Sequence, residues 1–148
     1  MFKEKIYSAC EKLLNQKIEE LNLILSELTT GAENDSKSSA GDKHETSRAM
    51  MQAEYEKVGR QLDELLVQRD ALGKIDIRIR SSGIIRGSLV KTDKSYLFLS
   101  VPLGRLVIDE VEVVTLSPQS PLGQKLMGLK ADDAAEINGL KYRVEEVL

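Results

Sequence analysis

Two carboxylates three residues apart, Asp42 and Glu45, follow a turn of small residues in the stretch Ser38-Ser39-Ala40-Gly41-Asp42-Lys43-His44-Glu45-Thr46. Asp followed three positions later by Glu is the pattern of a capping box, in which the first side chain accepts a backbone N–H and the second reaches back. The same pair could also ligate a hard cation. Mg²⁺ is typically held by one or two carboxylates, with waters and substrate phosphates filling the octahedron. Two acidic groups at a turn would hold Mg²⁺ poorly in free solution, but they could complete a site that another macromolecule half provides.

Other chemistry finds little support. His44 is the only histidine, so a nucleophile–histidine arrangement would have to recruit it at a turn, far along the chain from the only cysteine, Cys10. His44-Glu45 begins like a zinc-protease helix, yet no second histidine completes the ligand set. Cys10 cannot form an internal disulfide and falls on the apolar side of a helical pattern, which predicts a small buried hydrophobe. Gly123 to Lys130 nearly matches a phosphate-binding loop, but Leu129 separates the second glycine from the lysine and no Ser or Thr follows.

The elements that must position Asp42 and Glu45 are two helices. Leu14, Ile18, Leu21, Leu25 and Leu28 recur in steps of four and three, as do Met51, Tyr55, Val58, Leu62, Leu65, Arg69 and Leu72. No proline interrupts either run, and Glu, Lys, Gln and Leu dominate both. Neither stripe can be buried alone, so the two are expected to fold back as an antiparallel coiled-coil hairpin. Pairing Leu14 with Leu65, Leu21 with Val58 and Leu28 with Met51 gives numbers that sum to 79, which puts the fold-back near Ser39 and Ala40. A hairpin over residues 1–73 with an acidic tip at 39–45 would project roughly 45 Å, at 1.5 Å per residue.

After Gly73 the period changes to two. Residues 75–79, 88–92, 96–101 and 105–116 are rich in β-branched residues and are separated by turn signals such as Thr92-Asp93-Lys94 and Pro102-Leu103-Gly104. Ser120-Pro121 opens a short helix, with Ser as the cap and Pro at the first helical position. Asn138-Gly139 between two alternating runs signals a two-residue hairpin. Residues 74–148 therefore read as a small α+β domain of antiparallel sheet with one short helix.

The formal net charge of −3 argues against a protein whose main task is coating nucleic acid. Arg78, Arg80, Arg86 and Lys91 cluster early in the second half and are read as a solvated face or a docking patch. With no apolar run long enough for a membrane span and a charged start, a cytoplasmic protein is expected. A hairpin that satisfies its own seam has little need of a second copy, so a monomer is expected too.

An N-terminal antiparallel coiled coil, a tip reading Gly-Asp-x-x-Glu (Gly41 to Glu45) and a C-terminal Ser-Pro-x-Gly…Leu-x-Gly-x-x-x-x-Asp segment within residues 117–133 together resemble the bacterial transcript cleavage factors GreA and GreB. The resemblance covers nearly the whole chain. It implies an FKBP-like C-terminal domain that docks on RNA polymerase while the coiled coil enters the secondary channel. Asp42 and Glu45 would then help hold a Mg²⁺ shared with the polymerase and stimulate hydrolysis of the nascent RNA 3′ end in a backtracked complex. The same resemblance places the protein within DNA-bound transcription complexes, with no cofactor held tightly by the free chain and with the polymerase as the enzyme.

The chain also departs from the family. After the tip it has Thr46-Ser47-Arg48-Ala49-Met50, where the family usually continues Asn-Ala-Glu-Tyr, and Ala131 stands where Gly is common. The alternatives are a secondary-channel regulator without cleavage activity, a coiled-coil adaptor, and a prolyl isomerase whose aromatic pocket would have to come from Tyr96, Phe98 and Tyr142.

Overall fold

The computed structural model describes the backbone of residues 2–36 and 41–148, and the side chains of residues 2–31 and 46–148. Two long helices, α1 (Phe2–Ser36) and α2 (Gly41–Gly73), precede β1 (Leu89–Thr92), β2 (Tyr96–Leu99), β3 (Gly104–Ile108), β4 (Val111–Leu116), α3 (Pro121–Leu126), β5 (Ala134–Ile137) and β6 (Leu140–Val147). The chain divides into two compact units. One comprises Leu13–Arg69, and the other combines Met1–Lys12 with Asp70–Leu148.

In the unit of residues 13–69 the helices run antiparallel. Arg69 Nη1 donates to Asn15 Oδ1 at 3.3 Å, Lys17, Glu20 and Leu21 share a groove with Gln61, Glu64, Leu65 and Gln68, and Met51 packs at Gly31. These cross-helix numbers sum to 84 for Asn15 and Arg69 and 82 for Gly31 and Met51. Leu28 and Met51, paired in the expected register with a sum of 79, line one groove together, and the long side chains of Arg69 and Met51 reach three to five positions further along the partner helix. A Cβ at Gly31 would lie 2.7 Å from Met51 Cε, the free end of a flexible side chain.

Burial along the seam is uneven. Leu14, Ile18 and Val58 are buried, Leu21, Leu25, Leu28, Met51, Leu62 and Leu65 are half-buried, and Tyr55 and Arg69 are exposed. Thr29 and Thr30 return their hydroxyls to the carbonyls of Leu25 and Ser26, which keeps these β-branched residues compatible with the helix.

The other unit is a six-stranded sheet in the order β3-β4-β2-β1-β6-β5. Every neighbouring pair is antiparallel except β2 with β4, which is parallel over Tyr96–Leu99 and Val113–Leu116. The α+β class read from the sequence therefore holds, with a mostly antiparallel sheet and one short helix. On one face Val90, Leu97, Leu99, Leu116, Ala135 and Val144 pack with Ile84 and with Leu126 of α3. Strand alternation turns Leu89 and Phe98 to the opposite face, where they are equally buried. The first residues of α1 belong to this unit. Phe2 meets Tyr96 edge-on at 5.3 Å, Ile6 and Cys10 are fully buried, and Tyr7 donates its hydroxyl to the Leu72 carbonyl.

Residues 75–79, expected as a strand, form no strand. Lys74, Ile75 and Ile79 donate backwards to Ala71, Leu72 and Asp76, and Arg78 binds the Asp76 carboxylate through its backbone N–H and its guanidinium. These local bonds take the groups that a ladder would need. The apolar run 105–116 is likewise two strands, because Asp109 and Glu110 both adopt positive φ (51° and 67°) and turn β3 back along β4.

Candidate functional site

Gly41 opens α2, so Asp42 follows the first helical residue instead of standing at the cap position that the Asp-x-x-Glu spacing predicts. The ends at which α1 stops and α2 begins lie at the opposite end of the helix pair from Leu13 and Arg69, where the chain passes into the other unit. From Leu13 to Ser36 is roughly 35 Å of helix at 1.5 Å per residue. The side chains of Asp42 and Glu45 lie outside the described residues, as does the proposed tip at 39–40. A helix N-terminus favours carboxylates within its first turn, whatever further role they have.

The first side chains described after the tip are Thr46, exposed, and Ser47, half-buried. Arg48 follows and lines a shallow groove with Leu28 and Thr29 of α1 and Met51, Gln52 and Tyr55 of α2. Arg48 and Tyr55 are exposed, and Gln52 donates to Glu56 one turn along the helix. This groove was not legible in the sequence, because the heptad spacing assigns Tyr55 to the buried seam.

The second motif occupies the turn around α3. Ser120 caps the helix, with its Oγ accepting from the Gly123 N–H at 3.0 Å and donating to the Ser117 carbonyl at 2.7 Å, and Pro121 follows at the first helical position. Gly128 has φ +84° and donates to the Ile84 carbonyl, while Leu129 accepts from the Ile84 N–H. Asp133 closes the segment by accepting from the Lys130 N–H at 2.8 Å, and its carbonyl accepts from Val144 of β6. The Ser-Pro-x-Gly…Asp pattern is thus a folding device that ties α3 to residue 84 and to β6. It makes no phosphate loop, because Gly123 to Leu126 are helical.

Among the described residues no group of three or more His, Cys, Asp and Glu could hold a metal ion. None of their helices is long and apolar enough to cross a membrane. Cys10 is inert by burial, which pushes its thiol up to about 11.

No protein-family profile matches the sequence, and no curated relative matches it. Among solved structures the chain is similar to GreA factor homolog 1 (Gfh1) of Thermus thermophilus, with 19% identity over 93% of this chain and 94% of that one and a TM-score of 0.37. A second structure of the transcription factor Gfh1 matches with the same identity and TM-score and with 92% of that chain covered. A TM-score of that size sets no residue-by-residue correspondence.

Proposed function

We propose that this chain is a transcription elongation factor of the GreA/GreB kind, which binds bacterial RNA polymerase and inserts its helix pair into the secondary channel. The observation that carries the reading is a placement. Gly41-Asp42-Lys43-His44-Glu45 opens α2 at the end of the helix pair away from Leu13 and Arg69, and the Ser120-Pro121-Leu122-Gly123 turn follows in the other unit. A slim antiparallel pair suits a narrow pore, and two carboxylates at its end suit a metal that something else already holds.

Asp42 and Glu45 are the residues that would hold the shared Mg²⁺, which supplies stabilisation of the attacking and leaving oxygens in phosphodiester hydrolysis. The donor chemistry fits such a role, since hard carboxylate oxygens suit Mg²⁺ and two of them leave the remaining positions to the polymerase, RNA and water. The chain's own part is to deliver negative charge and to orient it from a helical backbone. The polymerase remains the enzyme, so the chain alone has no nuclease activity.

The test is RNA shortening in backtracked complexes assembled with purified polymerase. The wild-type chain shortens the transcript from its 3′ end. Asp42→Ala/Glu45→Ala binds polymerase equally and leaves the RNA intact, and full shortening by that variant would overturn the metal role. The Thr46-Ser47-Arg48 departure favours a second reading, a channel-binding regulator without cleavage activity. Undiminished polymerase binding with no shortening by the wild type selects it.

A further inference from the structure

The sheet has two edges, β3 and β5, and they are finished differently. Each edge strand belongs to a hairpin with a two-residue turn, so the residue next to the turn bonds inward and alternate residues point their N–H and C=O away from the sheet. On β5 the outward set includes Glu136, whose carbonyl accepts from the Lys125 ammonium of α3 at 2.6 Å. On β3 the outward set is Arg105 and Val107, and among the described residues no other segment bonds their backbone groups. Val107 is 72% exposed, the highest value among the large apolar side chains described. Arg105 is exposed too, with its Nε 3.4 Å from Glu112 Oε1 on β4.

We propose that β3 pairs antiparallel with β3 of a second copy of this chain, about a two-fold axis at Leu106. In that register Arg105 stands opposite the second copy's Val107, and the two exchange both backbone hydrogen bonds, so every outward group of Arg105 and Val107 is satisfied. The side chains of Arg105 and Val107 lie on one face. Val107, directly opposite its own Glu112 on β4, therefore comes to lie between that carboxylate and the second copy's Arg105. Opposite charges close over each valine, and the two-fold axis repeats the arrangement. This complementarity selects an identical edge as the occupant, because the cation that each Val107–Glu112 pair lacks on its open side is the other copy's Arg105. The Lys125 cap on β5 blocks the head-to-tail pairing of β3 with β5 that would grow into filaments, so the assembly closes at two copies.

The monomer expected from the sequence followed from the self-satisfied seam of the helix pair, whereas this second copy comes through the sheet. The pairing does not rest on the polymerase reading and is tested on the chain alone. A single short edge buries less than the roughly 1,200 Å² of a stable complex, so the dimer is weak.

The experiment is sedimentation of the full chain at low salt, from about 10 µM to about 1 mM, a range that brackets weak association. A rise from monomer toward dimer mass, with no larger species, is expected. Val107→Pro removes an N–H that β4 does not use, which an edge strand tolerates, so it should keep the wild-type melting temperature and stay monomeric. Arg105→Glu and Glu112→Lys should each weaken the dimer by about tenfold, and an equimolar mixture of the two should associate as the wild type does, since opposite charges then meet across the axis. A purely structural loss would not be repaired by mixing. Wild-type chain that stays monomeric throughout the range leaves the edge to an extended strand of another protein and overturns the proposal. So does a dimer that survives Val107→Pro, growth beyond two copies, or a mixture that associates no better than either variant alone.

Discussion

Gly123 sits so close to the carbonyl oxygen of Ser117 that a Cβ on it would lie 2.1 Å from that oxygen. The obstructing atom is backbone, so no rotamer change relieves the overlap. Gly123→Ala should therefore destabilise the chain by about 3 kcal/mol or more, through displacement of α3 from Leu116, Ala135 and its other core partners. Thermal unfolding followed by circular dichroism measures this, and an unchanged melting temperature would contradict it.

The heptad spacing treats Tyr55 and Val58 alike, whereas only Val58 is buried, at 3% exposure against 43%. Val58→Ala should cost about 2 kcal/mol, and Tyr55→Ala under about 0.5 kcal/mol. Equal losses in chemical denaturation would mean that Tyr55 is buried as deeply as Val58, as the heptad spacing alone predicts.

Asp93 supplies a pH dependence. Its carboxyl is held below the usual carboxylate range, chiefly because Oδ1 accepts the Arg143 backbone N–H at 2.9 Å, with a further contribution from the Lys94 ammonium. A carboxylate with a depressed folded-state pKa stabilises above its unfolded value, about 3.9, and that stability is lost as pH falls through the folded value. The melting-temperature gap between wild type and Asp93→Asn should be constant above about pH 5 and should narrow toward pH 2. A gap unchanged at pH 2 would show that the carboxylate charge is not its source.

Cys10, with its thiol pushed up to about 11, should resist modification by a disulfide reagent at pH 8. Denaturant should speed the reaction by on the order of 10²-fold, the ratio of thiolate fractions between a pKa of 11 and the ordinary 8.5. Rapid modification of the native chain would place Cys10 at the surface.

The sequence made both helices legible because their apolar residues repeat over many turns with no proline. It made the β5–β6 turn legible because Asn138 and Gly139 are the residues that tolerate positive φ, and they have it, at 52° and 80°. The Ser120-Pro121 cap was legible for a similar local reason. The β3–β4 turn was not, since Asp109-Glu110 adopts the same left-handed pair without a glycine, and such strain is held only by its surroundings. There Asp109 is tied to Lys5 of α1 at 2.8 Å. The parallel pairing of β2 with β4 is non-local and leaves no trace in period. At the candidate site the spacing of Asp42 and Glu45 was legible, whereas the exposed Arg48–Tyr55 groove depends on interhelical register.

The most direct test of the central claim, that the end of the helix pair reaches the polymerase catalytic centre, uses the inertness of Cys10. Lys43→Cys provides a single reactive thiol between Asp42 and Glu45, to which a short photo-cross-linker is attached before addition to a backtracked complex. Cross-links to the polymerase segments that carry its catalytic carboxylates, or to the RNA 3′ end, are the expected result. Cross-links confined to the outer surface of the polymerase, or none from a complex that demonstrably contains the factor, would contradict it.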